Sequence, residues 1–206
     1  MTKQSSTVYI VDDNPSVRKA LTRLMRSAGY EAKAFASARE FLADGHEAGV
    51  ACLVLDIRMP GLSGIDLQRE LNKAKKILPV VFITGHGDVP MSVQAMKDGA
   101  VDFFPKPVKD TVLLKAIEQA LARCARERGE RDEMEDIRSR MDSLTPRERE
   151  VLEHIVAGQL NKQVAYDLGT VEKTIKVHRA RVMNKMGVDS LAELVRLTER
   201  ARIDKT

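Results

Sequence analysis

Four short apolar runs in the first half of the chain each end on a residue that can do chemistry. Asp12 and Asp13 follow Thr7–Val11, Asp56 follows Val50–Leu55, Thr84 follows Pro79–Ile83, and Lys106 stands just beyond Val101–Phe104. In an open parallel sheet the carboxyl ends of the strands form the crevice where ligands bind. Three carboxylates, a hydroxyl and an amine gathered there suit a divalent cation beside a phosphate-sized space. A carboxylate such as Asp56 can attack phosphorus to give an acyl phosphate. The incoming phosphoryl group is anionic, so the attack needs local neutralisation. Asp13 and Asp56 can hold Mg²⁺ or Mn²⁺ directly, with Asp12 on one of its waters. Lys106 offers a second positive charge and Thr84 a hydroxyl donor. The rest of the work is positioning and charge stabilisation. Taken singly, Asp12-Asp13 reads as a charged turn and Asp56 as a helix cap. Four strand ends carrying matched chemistry are harder to explain in that way.

The elements that would hold these residues alternate along the chain. The runs near 7–11, 50–55, 79–83 and 101–104 are too short for helices and rich in β-branched residues, and the weaker Glu31–Ala36 adds a fifth. Helical stretches separate them. Asn14-Pro15 supplies a cap followed by proline at the first helical position, Ser37–Glu40 is a capping box, and Pro90 can open a helix over Met91–Lys97. The order predicts a doubly wound α/β domain, (βα)5, with a parallel five-stranded sheet. No glycine-rich loop follows the first run, which disfavours flavodoxin-like or dinucleotide binding. A phosphatase of the haloacid-dehalogenase type would want a second Asp two residues after the nucleophile, where Arg58 stands.

Composition narrows the setting. At 206 residues the chain can form two small domains. Residues 1–6 are short and polar, unlike a signal peptide, and no apolar stretch approaches the ~20 residues of a membrane span. Cys52 and Cys124 read as buried or semi-buried thiols in a reducing compartment, so a cytoplasmic protein is expected. Charge is nearly balanced, with sixteen cations against fourteen anions in residues 1–120, six against six in 121–140 and twelve against ten in 141–206. Between Glu172 and Lys185, however, five basic residues (Lys173, Lys176, Arg179, Arg181, Lys185) face one acid.

The expected domains are 1–124, a charged helical linker over 125–142, and 143–206. Across the linker the stripe Leu114, Ile117, Leu121, Cys124 gives way to Arg126–Glu133, which has no apolar side chain, with a weak point at Gly129. Met134, Ile137 and Met141 resume a weaker stripe, compatible with either a solvated spacer or a signalling coiled coil. From Thr145 onward the pattern predicts an all-α four-helix unit. Thr145–Glu148 is a capping box, a helix over Asn161–Leu168 ends at Gly169, a longer helix runs to Met186-Gly187, and Ser190–Glu193 caps the last. A tight Gly turn between the second and third helices is the pattern of a helix-turn-helix. Projection of 172–186 puts Ile175, His178, Val182 and Met186 inward. Lys173, Lys176, Val177, Ala180 and Asn184 fall outward, with Arg179 and Arg181 on the flanks. Such a face suits a major groove, where Lys176 reaches base-edge acceptors, Val177 or Ala180 a thymine methyl, and the arginines phosphate.

Val11-Asp-Asp-Asn14, Asp56-Ile-Arg-Met-Pro-Gly61, Thr84-Gly85, Gly99-Ala-Val-Asp-Phe103 and Lys106-Pro107 resemble the receiver domain of bacterial two-component response regulators. Thr84–Met91 is similar to the FixJ/NarL-like branch. Leu144–Leu152, Asn161–Ala165 and Lys173–His178 resemble the LuxR-type helix-turn-helix domain. The first resemblance implies Asp56 as phosphoacceptor from a sensor histidine kinase. It also implies Mg²⁺ on Asp12, Asp13, Asp56 and the main-chain carbonyl of Arg58, a cis Lys106–Pro107 peptide (an X–Pro bond being where cis costs least), and Thr84 and Phe103 as a switch pair. Arg58 and His86 would flank the phosphoryl group and tune its lifetime. The surface around Pro90–Phe104 would then favour a homodimer. The second resemblance implies duplex DNA contacts from Lys162, Lys173, Thr174, Lys176, Val177, Arg179, Ala180 and Arg181, with RNA polymerase as a further partner. One departure is visible: the family usually has Ser or Thr just before the Glu172 position, and here Val171 follows Thr170. On this reading the chain is not an enzyme beyond its own phosphorylation and dephosphorylation. The competing reading is a receiver acting through protein contacts or as a phosphate sink, without productive DNA binding.

Overall fold

In this computed structural model, which describes residues 6–45, 49–85 and 89–203, the chain divides into two compact units, 1–128 and 129–206. The first alternates β1 (Ser6–Val11), α1 (Pro15–Ser27), β2 (Glu31–Phe35), α2 (Ala38–Ala43), β3 (Val50–Asp56), α3 (Gly64–Lys73), β4 (Val80–Thr84), α4 (Val89–Lys97) and β5 (Asp102–Pro105). The five strands are all parallel in the order β2-β1-β3-β4-β5. Because the chain leaves β1 toward one edge and returns to β3 on its other side, a crevice opens between the carboxyl ends of β1 and β3.

The central strands read as unbroken apolar runs because both of their faces are covered. Alternate residues serve the two layers. Tyr9, Val11, Leu53, Leu55 and Phe82 pack with α2, α3 and α4. Val8, Ile10, Cys52, Val54, Val81 and Ile83 pack with α1 and the first turns of α5 (Asp110–Asp142). The edge strand β2 has only Phe35 buried, which accounts for its weaker pattern. Helix starts follow local chemistry. Asn14 Oδ1 accepts from the Ser16 and Val17 amides ahead of α1, and Ser63 Oγ accepts from the Asp66 amide ahead of α3. At α2, Ser37 Oγ accepts from the Glu40 amide, but Glu40 takes the amide of Ala36 rather than that of Ser37.

The second unit contains the last part of α5, then α6 (Pro146–Val156), α7 (Asn161–Asp167), α8 (Glu172–Met186) and α9 (Leu191–Ile203). Helix α6 carries a complete reciprocal box, between Thr145 and Glu148. Val151, Leu152, Ile155, Val164, Ile175, Val182, Met186 and Leu194 form the core, with Leu144 and Met141 joined to it. Residues 129–142, expected as part of a linker, are helical throughout, with Ile137 buried and Glu133 bound bidentately by Arg200 of α9. The Met134–Ile137–Met141 stripe is therefore used in part within this unit.

Candidate phosphoryl and DNA sites

The carboxyl ends of β1, β3, β4 and β5 assemble the first site. Asp12 and Asp56 are buried and Asp13 is exposed, yet one carboxylate oxygen from each lies within 4.8 Å of the others. Asp12 is tied on several sides. Its Oδ1 accepts from the Asn14 amide at 2.9 Å, its carbonyl accepts from Arg18 Nη1 at 2.7 Å, and its amide donates to Phe35 O. The Lys106 ammonium donates to Asp12 Oδ2 at 2.5 Å and to Asp56 Oδ2 at 3.1 Å. Lys106 is held by its own amide, which donates to the Thr84 carbonyl at 2.8 Å, and its bond to Pro107 is cis.

One ammonium thus bonds two of the three clustered carboxylates. The remaining oxygen of Asp56, Oδ1, is buried without a hydrogen-bond partner among the described residues. Burial raises the Asp56 carboxyl above its ordinary value. The hydrogen bond and charge of Lys106 oppose the rise, and the nearby Asp12 adds to it. A partly buried, under-neutralised, all-oxygen donor set fits a hard divalent cation such as Mg²⁺ or Mn²⁺.

Thr84 is fully buried at the end of β4, and the half-buried Phe103 packs beside Phe82 with ring centroids 6.4 Å apart. Arg58 is exposed in the loop after β3, while His86 lies outside the described residues. Both thiols are buried, and burial pushes each up from its ordinary value, the environment of structural cysteines. Sequence reasoning missed Gly64. A Cβ there would lie 2.2 Å from the Asp56 carbonyl oxygen, because the first turn of α3 passes directly over the loop that follows β3 and the Gly64 amide bonds Ile57 O. The available signal was a glycine immediately after the capping Ser63, where a better helix former costs less.

The second site lies on α7 and α8. Ile175, Val182 and Met186 are buried, and Lys173, Lys176, Val177, Ala180 and Arg181 are exposed, as the projection predicts. Thr174, His178 and Arg179 are half-buried; Arg179 donates to Asn161 Oδ1 at 3.4 Å, and His178 Nδ1 is buried without a partner among the described residues. Lys162 is exposed on α7, and Lys176 pairs with Glu172 at 3.0 Å. Lys185 belongs to the fold rather than to the outer face. It bonds Glu148 at 2.7 Å and Ser143 O at 2.9 Å, and this ammonium with the Thr145 amide pulls the Glu148 carboxyl down to about 2. Helix α8 starts at Glu172, preceded by Val171, which has extended backbone and no side-chain cap.

Comparison with known proteins matches residues 8–118 to the response regulator receiver domain and residues 142–198 to bacterial regulatory proteins of the luxR family. The chain is 44% identical over 202 residues to the response regulator protein TodT of Pseudomonas putida, covering 98% of this chain and 89% of that one. It is 48% identical over 191 residues to the transcriptional regulatory protein FixJ of Rhizobium meliloti, covering 93% and 94%. Among solved structures, response regulator StyR superposes with a TM-score of 0.89 at 48% identity, covering 95% of this chain and 99% of that one.

Proposed function

This chain belongs to the response regulators, joining a receiver domain to a LuxR-type DNA-binding domain, and we propose that it is a cytoplasmic transcription regulator, an activator, switched by phosphorylation of Asp56. The observation that carries this reading is the Asp12–Asp13–Asp56–Lys106 cluster at the sheet's switch point, with one Asp56 oxygen left unbonded.

In the proposed reaction an Asp56 oxygen attacks phosphorus, the P–N bond to a kinase phosphohistidine breaks, and the imidazole leaves with that electron pair. A bound Mg²⁺, held by Asp12, Asp13, Asp56 and the Arg58 carbonyl, would supply positive charge to the phosphoryl oxygens. Lys106 already contacts Asp56 Oδ2 and transfers its donor to the arriving phosphoryl oxygen. That ammonium is worth most in a water-poor site. Thr84 offers a second donor from its buried position, and Phe103 takes the space its movement leaves. Helix α1 provides the docking surface for the kinase. An apolar groove lined by Val17, Leu21, Leu24, Val108 and Leu113 lies on one side of it and takes in Lys106, and a basic groove lined by Arg18, Lys19, Arg23 and Arg26 runs along the other.

Phosphate acts by binding one conformational state better than the other. The favoured state dimerises through α4 and β5, where Val89, Val93 and Met96 are exposed. Two α8 helices then reach half-sites about 34 Å apart, with RNA polymerase recruited to the complex. Acetyl phosphate labelling and gel shifts test the whole reading together. Wild-type protein takes up acid-stable, base-labile phosphate and gains affinity for a selected duplex, and Asp56→Asn does neither. Undiminished labelling of Asp56→Asn, or DNA affinity indifferent to phosphate, would overturn it.

A further inference from the structure

The two ends of the recognition helix are held very differently. At its start Val171 offers no side-chain cap. At its end Gly187 turns left-handed at φ 65°, and the orphan carbonyl of Met186 accepts from Arg140 Nη1 at 2.9 Å. Arg140 comes from the last turn of α5 and is itself fixed by Asp136 through Nη2 at 2.7 Å. The fit is close: a Cβ on Gly187 would sit 2.6 Å from Arg140 Nη1. Lys185 adds a second tie to the same segment through Ser143 O at 2.9 Å. A cation on the terminal carbonyls satisfies the groups a helix leaves unpaired and complements its dipole.

We propose that Arg140 is a positioning residue for DNA recognition, setting the tilt of α8 from its carboxyl end so that Lys176, Val177 and Ala180 meet base edges. This rests on the reading of α8 as the groove-reading helix. At 1.5 Å per residue, Lys176 lies about 15 Å along the axis from Met186, so a tilt of ~5° at the clamp moves it by ~1.3 Å. A shift of that size takes a base-edge hydrogen bond out of its 2.7–3.2 Å range. Phosphate contacts made by flexible lysines and arginines follow the same displacement with little loss. The clamp therefore governs discrimination between sequences more than overall grip.

The test uses the full chain with acetyl phosphate and Mg²⁺ present throughout. Binding is measured to a duplex selected by the wild-type protein from a random pool and to an unrelated duplex of equal length, with melting followed in parallel. Arg140→Ala loses about tenfold on the selected duplex, in line with one charged hydrogen bond. It loses less than about twofold on the unrelated one, and Arg140→Lys, which keeps a single cationic donor, recovers most of the difference. Should Arg140→Ala melt early, Asp136→Asn loosens the guanidinium without removing packing and shows the same split at smaller size. Unchanged affinity for the selected duplex, or parallel loss on both duplexes, would refute the positioning role. A wild-type protein that fails to discriminate the two duplexes overturns the recognition-helix reading itself, and the proposal with it.

Discussion

At the scale of single residues, the proposed phosphoryl site depends as much on an absent side chain as on its charged ones. Gly64 lets α3 begin within contact of the Asp56 main chain. Gly64→Ala must push that backbone away, and overpacking of this kind costs about 1–3 kcal/mol. Urea denaturation should show a lower midpoint, and acetyl phosphate labelling of Asp56 should slow. Normal stability together with normal labelling would contradict the 2.2 Å approach. Glu148 offers a test by pH. Its carboxyl is held down to about 2 from the ordinary 4.5 by Lys185 and the Thr145 amide. A depressed acid stabilises the folded state above its unfolded value, and that contribution is lost as pH falls toward the folded one. The melting difference between wild type and Glu148→Gln should therefore be full above pH ~5 and close steadily as pH falls from 4.5 toward 2. A gap that does not depend on pH would show that the ion pair is not its source.

Among the elements, α8 and α5 carry the most information. The extended backbone at Val171, φ −103° and ψ 150°, already suits a capping residue. Val171→Ser should stabilise the second unit by about 0.5–1 kcal/mol, read as a raised denaturant midpoint. A fall would mean that the exposed valine has another task. Helix α5 runs unbroken from Asp110 to Asp142, past Gly129 and the charged run. Its final turns supply Ile137, Arg140 and Met141 to the second unit. A fragment beginning at residue 129 should be measurably more stable by urea denaturation than one beginning at 143, which leaves the Met186 carbonyl and the α9 face uncovered. Equal stability would make those turns a spacer after all.

For the whole molecule, the proposed output is a phosphate-dependent dimer through exposed apolar residues of α4. Val93→Asp places a charge on that face without touching the Asp56 cluster. Sedimentation should find Val93→Asp monomeric under acetyl phosphate while its labelling stays normal. Dimerisation of the variant would move the interface elsewhere. Much of this protein is legible in its residues alone. Alternating short apolar runs dictate a parallel sheet because only strands covered on both faces can be apolar throughout. The polar residue at each run's end had to fall on one rim, since parallel strands share a direction. The α8 faces likewise follow from a 3.6-residue period. What remained hidden depends on approach between segments distant in sequence. Pattern gives no sign that Glu40 reaches Ala36 rather than Ser37, or that Lys185 turns away from the basic face to Glu148. It marks Gly64 as an unusual helix start without showing that it lies against Asp56, and it is silent on Arg140 closing the end of α8. Periodicity determines which way a side chain points from its own element. Only packing decides what waits there to meet it, because hydrogen bonds and steric contacts form over a few ångströms between groups whose separation along the chain carries no distance.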